Sequence, residues 1–437
     1  MNNQSDIQSK LNQAIEAKRD DLIALTQDLV RIPTLNPPGD CYLEVCEYLK
    51  HRLEKSGFDV QLIRAFETPG DSDKYPRWNI LARKEGAYGG DCVHFNSHTD
   101  VVEVGNGWTK DPFGAELDGD LIYGRGTCDM KGGLASSIIA VEAFIETFPK
   151  FSGAIEISGT ADEETGGYGG VAYLAEKGYF SPSRVQHVII PEPLNKDCIC
   201  LGHRGVWWAE IETKGKIAHG SMPFLGDCAV RHMGAVLEKM EHELIPTLYE
   251  RTTAMPVIPE GAKHSTININ SLHGGQEEPE EGFTGFPSAC VPDSARMVID
   301  RRYLFEETEE EVREEITELL ERVKNEREHF EYDITELWTI QPTLADKEAP
   351  VVKAVQSAIG SVLKCEPTFV VSPGTYDQKH IDRIGKLKDC IAYGPGILDL
   401  AHQPDEYISV QDMLDSSKIM ANSLVTLLKQ DNNNRGN

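Results

Sequence analysis

The sequence lacks the marks of several common protein classes. No apolar run among its 437 residues reaches the ~20 residues a helix needs to cross a bilayer. The opening stretch, MNNQSDIQSKLNQAIEAKRDD, has no apolar core of a secretory leader, so a cytoplasmic location is expected. No two of the ten cysteines are spaced as CxxC, and Cys198 and Cys200 sit too close together for a zinc knuckle. Reduced, mostly buried thiols are therefore expected. There is no internal repeat. Basic residues are scarce: 43 Lys and Arg against 71 Asp and Glu give a net charge of −28. Such an excess repels phosphate, which excludes nucleic acid and anionic membrane surfaces as partners.

What is present belongs to an ordinary globular protein, with 40% hydrophobic and 26% charged residues and length for two or three domains. The pattern predicts an amphipathic helix over residues 12–30, broken by the prolines of RIPTLNPPGD, and a second helix over 42–55. Apolar strand-like runs then alternate with helical ones. DCVHFNSHTD, SGAIEISGTADEE and VQHVIIPEP read as strands, and GGLASSIIAVEAFIETF and GGVAYLAEKGYF as helices. This alternation predicts an α/β domain, a mixed and mostly parallel sheet flanked by helices. After Gly202 the order becomes β-α-β-β-α-β, a ferredoxin-like α+β arrangement. RGVWWAEIETKGKIA reads as a strand pair or one long strand, and helices follow over about 227–244 and 307–327. The expected division is 1–203 with 340–437 for the α/β domain and 204–339 for the insert. The tail QDNNNRGN is expected to be disordered.

Ligands of open α/β sheets bind beyond the carboxyl ends of the strands. Four predicted strand ends or βα turns bring ligand-type side chains there: His98 and Asp100, Asp129, Glu163 and Glu164, and Glu192. His402 follows CIAYGPGILDLAH. Singly, each reads as a solvated loop residue; together they form an improbable convergence. Two histidines and three or more carboxylates, with no cysteine, suit Zn²⁺, with Co²⁺ or Mn²⁺ as alternatives. The donor count suits two ions, which ~3.5–4 Å apart need a bridging carboxylate. Asp100, two residues past His98, is on the same side of an extended chain and so placed to orient its imidazole.

The segments HTDVV, GRGTCDMKGG, TADEETGG, PEP and GPGILDLAHQPDEYISV resemble, in order and spacing, the M20 metallopeptidase family. That family includes acetylornithine deacetylase, succinyl-diaminopimelate desuccinylase, aminoacylase-1 and glutamate carboxypeptidase, and the likeness covers essentially the whole chain. It implies that His98 and Glu192 hold one zinc ion and Glu164 and His402 the other, with Asp129 between them and a cis peptide after it. It also implies that Glu163 is the general base; the residues themselves leave open which of Glu163 and Glu164 faces the metal. The insert resembles the family's lid and dimerisation domain, so a homodimer is expected, with hinges near 202–205 and 340–344. The likeness makes His219 of GKIAHGSMP an oxyanion-holding residue contributed across the dimer, against the plain alternative of a surface-loop histidine. Arg302 of VIDRR becomes a grip for a substrate carboxylate, against a solvated strand-edge arginine. Gly374 and Thr375 of SPGTYDQ become substrate contacts. Two departures bear on the substrate: Ala289 stands where relatives often carry Asn, and 276–288 forms an extra loop. His232, His242 and His329 read as structural or surface residues.

The expected activity is metal-dependent removal of an N-acyl group, acetyl or succinyl in type, from an amino acid or similar small amine. A carboxypeptidase or dipeptidase acting on a short peptide through the same site is the alternative. A non-catalytic binder of this fold would be expected to lack a ligand or the base, and all six residues are present. A scaffold role has no feature in its favour.

Overall fold

The computed structural model describes residues 2–257, 260–275 and 289–428; the expected extra loop at 276–288 and the tail from 430 lie outside them. The first helical stretch is two helices, Asn2–Glu16 and Arg19–Arg31. Asp20 and Asp21 occupy the first turn of the second, where the helix dipole favours acids. Its Leu22, Leu25, Leu29 and Val30 are buried. The next helix is Tyr42–Lys55.

By contacts the chain forms two units: Met1–Gly202 with Leu344–Val371 and Tyr376–Asn437, and His203–Thr343 with Ser372–Thr375. The first holds a mixed sheet. Its strands lie side by side in the order Asp59–Ala65, Arg77–Glu85, Ser152–Thr160, Tyr88–His98, His187–Ile190, Cys390–Ala392, Cys198–His203 and Thr343–Leu344. Thr368–Ser372 pairs with Cys198–His203 off this path. Ser152–Thr160, Tyr88–His98, His187–Ile190 and Cys390–Ala392 run parallel, and the strands on either side of these four are antiparallel to them. Parallel strands are covered on both faces, and the residues agree: Val93, Phe95, Ile155, Ile157, Val188 and Ile189 are all at most 1% exposed. Each such side chain contributes about 1.5–3 kcal/mol. The helix Gly132–Thr147 is buried from Gly132 through Ile145, as expected of a helix apolar on all sides.

The run GGVAYLAEKGYF is only partly helical: a wide turn, Tyr168–Ala172, precedes the short helix Tyr173–Glu176. Gly170 explains the interruption. A Cβ there would meet the Ala161 carbonyl oxygen at 2.0 Å, so the chain is pressed onto the end of the neighbouring strand.

The second unit carries a four-stranded antiparallel sheet in the order Thr266–Gly274, Ser294–Tyr303, Gly205–Lys214, Glu331–Ile340. RGVWWAEIETKGKIA therefore supplies one strand rather than a pair. The helices Ala229–Lys239 and Glu309–Glu326 cover one face, with Trp207, Met233, Met297, Ile299, Ile316 and Leu320 in its core. Chain order and strand order together are those of a ferredoxin-like fold. His232, buried in this unit, accepts a hydrogen bond at Nδ1 from Arg327 (2.6 Å) and pairs through Nε2 with Asp227 (2.8 Å), a structural role.

Candidate metal centre

The carboxyl ends of the parallel strands bring the acids and imidazoles together within the first unit. His98 ends the strand Tyr88–His98, Glu163 and Glu164 follow Ser152–Thr160, and Glu192 follows His187–Ile190. Asp129 lies in the turn leading to the helix Gly132–Thr147, and the Asp129–Met130 peptide is cis. Gly133 lets that helix start close to the strand end, since a Cβ there would lie 1.9 Å from the Pro191 carbonyl oxygen.

Asp129 is the hub. Its Oδ1 is 3.0 Å from His98 Nε2, and its Oδ2 is 3.5 Å from His402 Nε2. Glu192 Oε1 is 4.0 Å from His98 Nε2, and Glu164 is 3.2 Å from His402 Nε2. The two oxygens of one carboxylate thus face two separate imidazole–glutamate pairs. Ligand atoms of His98, Asp129 and Glu164 all lie within 4.8 Å of one another. Two donors each about 2.0–2.1 Å from one tetrahedral zinc would be about 3.3 Å apart, so the spacing fits a divalent ion in each pair. His98 Nδ1 donates to the Asp100 carbonyl oxygen at 3.0 Å, which leaves the Nε2 lone pair for a cation.

The charges agree. Burial opposes a proton on His98, but Asp100, Asp129 and Glu192 outweigh it and raise its pKa well above the usual range. Asp129 and Glu164 raise His402 to about 11. Glu192 is also pushed up, well above the carboxylate range, by burial and by the charge of Asp129. Burial likewise raises Glu164 to about 7. A site that raises both its bases and two of its acids is short of positive charge, which divalent ions supply.

Two further carboxylates fix the turns that carry these ligands. Asp100, fully buried, accepts from the Glu163 backbone N–H at 3.2 Å, the Glu164 N–H at 3.1 Å and Asn36 Nδ2 at 2.9 Å. Its carboxylate stands 3.6 Å from His98 Nδ1, so its carbonyl rather than its side chain orients that imidazole. Glu406 accepts from the backbone N–H groups of Cys128 (2.8 Å) and Asp129 (3.1 Å) and pairs with Arg125 at 2.6 Å. Glu163 does not join the imidazoles; its Oε1 accepts from buried Lys379 at 2.9 Å. Sequence reasoning missed Glu406 and Arg125, which lie inside segments it had singled out for neighbouring residues, and Lys379, which directly follows SPGTYDQ.

His219, Arg302, Gly374 and Thr375 belong to the second unit. His219 is exposed and its Nδ1 accepts from the Ser221 N–H at 3.1 Å, which in the neutral ring puts the proton on Nε2. Arg302 forms a bidentate pair with Asp300, at 2.7 and 2.9 Å, which neutralises it. Gly374 N–H donates to Ser372 Oγ at 3.2 Å. Arg204, buried in the same unit, donates instead to the carbonyls of Ala262, His264 and Pro373. Burial and the neighbouring Arg302 and Arg301 lower its pKa to about 10, the setting of a guanidinium that would gain from an anion.

No described helix is long and apolar enough to cross a membrane. The succinyl-diaminopimelate desuccinylase of Acinetobacter baylyi is 29% identical over 420 residues, covering 94% of this chain and 99% of that protein. In fold, human carnosine dipeptidase 1 matches with a TM-score of 0.75 at 19% identity, over 96% of this chain and 98% of that one. A dinuclear metal binding peptidase from the M20 family of Bacillus subtilis matches with a TM-score of 0.65 at 15% identity, over 95% and 99% of the two chains. The sequence profile of peptidase family M20/M25/M40 matches residues 94–426, a span that takes in the whole acid and imidazole cluster. With that span matched, the chain belongs to peptidase family M20/M25/M40.

Proposed function

We propose that this hydrolase removes an N-acyl group, succinyl or acetyl in type, from an amino acid or a related small amine. The observation that carries the reading is the division of Asp129 between two imidazole–glutamate pairs, with Glu163 held apart from both. His98, Glu192 and Asp129 would hold one divalent ion, and His402, Glu164 and Asp129 the other, zinc being the metal the donors favour. When bound, the ions would polarise the amide carbonyl and make water more acidic. Glu163 takes the proton of the attacking water and returns it to the departing amine. His219 Nε2–H donates to the oxygen that becomes negative in the tetrahedral intermediate. Arg204 or Arg302, with Gly374 and Thr375, holds a substrate carboxylate; Arg204 has the stronger claim because its hydrogen bonds go to carbonyls, whereas Arg302 is paired with Asp300.

The second unit serves as the lid and as the contact of a homodimer. Ile217, Phe224 and Leu225, 58%, 79% and 55% exposed, flank His219 with an apolar surface suited to a second copy. In this reading His219 acts on the partner's substrate. A cytoplasmic setting fits the free, buried thiols of Cys46, Cys92, Cys128 and Cys390. The likeness to a desuccinylase supports the acyl substrate, and the fold shared with a carnosine dipeptidase supports dipeptide cleavage as the second reading.

Glu163→Gln and a substrate panel test both levels. The variant is expected to keep its metal and lose nearly all hydrolysis, and the wild type to turn over N-succinyl or N-acetyl amino acids. Activity surviving in Glu163→Gln would overturn the mechanism; turnover of dipeptides alone would favour the second reading.

A further inference from the structure

Lys379 is the group beside the site that the mechanism above leaves without a task. Its side chain is 1% exposed, and its ammonium donates to Glu163 Oε1 at 2.9 Å. A buried ammonium needs acids around it. Those facing it are Glu163, with which it is hydrogen-bonded, Asp377 and Glu192. Burial works against its charge, but these acids hold its pKa above the ordinary lysine range.

Lys379 is also anchored from behind. Asp377, at the start of the short helix Gln378–Arg383, accepts at Oδ2 from Asn96 Nδ2 (2.8 Å) and from Thr160 Oγ1 (3.4 Å). Ser158 Oγ donates to Asn96 Oδ1 at 2.7 Å and lies 2.7 Å from His94 Nε2, whose Nδ1 is 3.0 Å from Glu156 Oε2. Asn96, Ser158, His94 and Glu156 are all fully buried. They come from alternate positions on two paired parallel strands, so they stack on one face of the sheet. Asp377 Oδ1 has no partner among the described residues, but the other members are paired to one another, and a buried network so connected resists displacement. It holds the start of that helix, with Asp377 and Lys379, beneath the candidate base.

We propose that Lys379 is a positioning residue for the reaction: its ammonium clamps Oε1 of Glu163, leaving Oε2 as the oxygen that meets the attacking water. The inference rests on the reading of Glu163 as the base. The proton moves from water to Oε2 and on to the departing amine nitrogen, while Lys379 keeps all three of its own. An ion pair that served stability alone would leave the chemical step unchanged once the protein had folded and bound metal.

The test uses the full-length protein as wild type, Lys379→Met, Lys379→Arg, Glu163→Gln and the double variant Lys379→Met/Glu163→Gln. On an N-succinyl amino acid, Lys379→Met is expected to lose about 10²-fold in kcat, with KM within about threefold and bound metal unchanged. Lys379→Arg, which can still donate to Glu163, is expected to recover most of the loss. A second readout needs no activity: thermal midpoints of the chelator-treated proteins. There the double variant is expected to fall by less than the sum of the two single shifts, because one pair is removed twice. An unchanged kcat in Lys379→Met, additive midpoints, or loss of metal in that variant would each overturn the assignment. If Lys379→Met does not fold, Lys379→Gln, which keeps a donor without the charge, replaces it in both readouts. Activity retained by Glu163→Gln would instead strike the underlying reading of the base, so the two failures are separable.

Discussion

Replacing Asp100 by Asn tests whether the acidic turn is held from behind. The substitution keeps the volume but turns one acceptor oxygen into an NH₂ group. Asp100 Oδ1 accepts from the Glu163 N–H, and Oδ2 accepts from the Glu164 N–H and from Asn36. If the amide oxygen takes the Oδ2 position, it keeps two donors and sets NH₂ against the N–H of Glu163. A buried N–H left without an acceptor costs about 1–3 kcal/mol, and the two surviving bonds lose their charge assistance. The total is about 2–4 kcal/mol, a fall in Tm of roughly 3–7 °C for a unit of this size. The backbone that carries Glu163 and Glu164 also loosens, and a displacement of about 1 Å at a reacting group costs about 10²-fold in rate. Calorimetry and kcat on the same preparation read both effects. Asn36→Ala, which removes one donor and leaves the turn's own N–H groups satisfied, is the control and is expected to cost less on both measures. An Asp100→Asn variant with wild-type Tm and kcat would refute the view that this carboxylate organises the turn.

Two other outcomes follow from particular contacts. Glu156 is buried, which pushes its pKa up, but His94, Arg83 and Arg184 outweigh burial and hold it at about 2. A lowered carboxylate pKa adds stability that is complete above the unfolded value of about 4.5 and is lost as pH falls toward 2, here about 3 kcal/mol. Urea denaturation of wild type and Glu156→Gln is expected to show a gap near pH 6 that closes by about pH 2; a gap independent of pH would contradict this. Phe224→Glu places a charge in the exposed apolar surface beside His219 and is expected to give the monomer mass of 48.5 kDa by light scattering, with activity falling in parallel. A wild type already monomeric at micromolar concentration would remove both the dimer and the role of His219 in the partner's site.

Most of the ligand candidates were legible because they stand at the end of an apolar run, and the sheet aligns those ends whatever the loops do; Asp129 was legible from the glycine-rich turn before an apolar helix. The supports were not legible, because they arrive from far along the chain. Glu406 reaches the N–H of Asp129 across 277 positions, and Lys379 reaches Glu163 across 216. A lone lysine or glutamate carries no local sign of burial. The elements misjudged in detail were those that tertiary contact reshapes: the helix start at Tyr168, where Gly170 meets the Ala161 carbonyl, and the first helix, interrupted near Lys18. Periodicity describes what a segment buries, not where a neighbour's backbone cuts it short.

The run Asp162-Glu163-Glu164 shows why counting charges along a sequence misleads. Asp162 has a left-handed backbone, φ 64°, which swings successive side chains in different directions. Asp162 turns inward, where it accepts from Arg77 Nε and Tyr42 OH, each at 3.0 Å. Glu163 meets Lys379, and Glu164 meets His402. Three adjacent acids therefore face a guanidinium with a phenol, an ammonium, and an imidazole. Of the three cationic partners, only the imidazole can readily give up its proton and share a divalent ion with the carboxylate; arginine and lysine cannot coordinate while they remain cations. The partners thus sort the acids by chemistry. Asp162 is structural, Glu164 is suited to metal, and Glu163, beside a cation that keeps its own protons, is the one whose free oxygen can accept a proton from water.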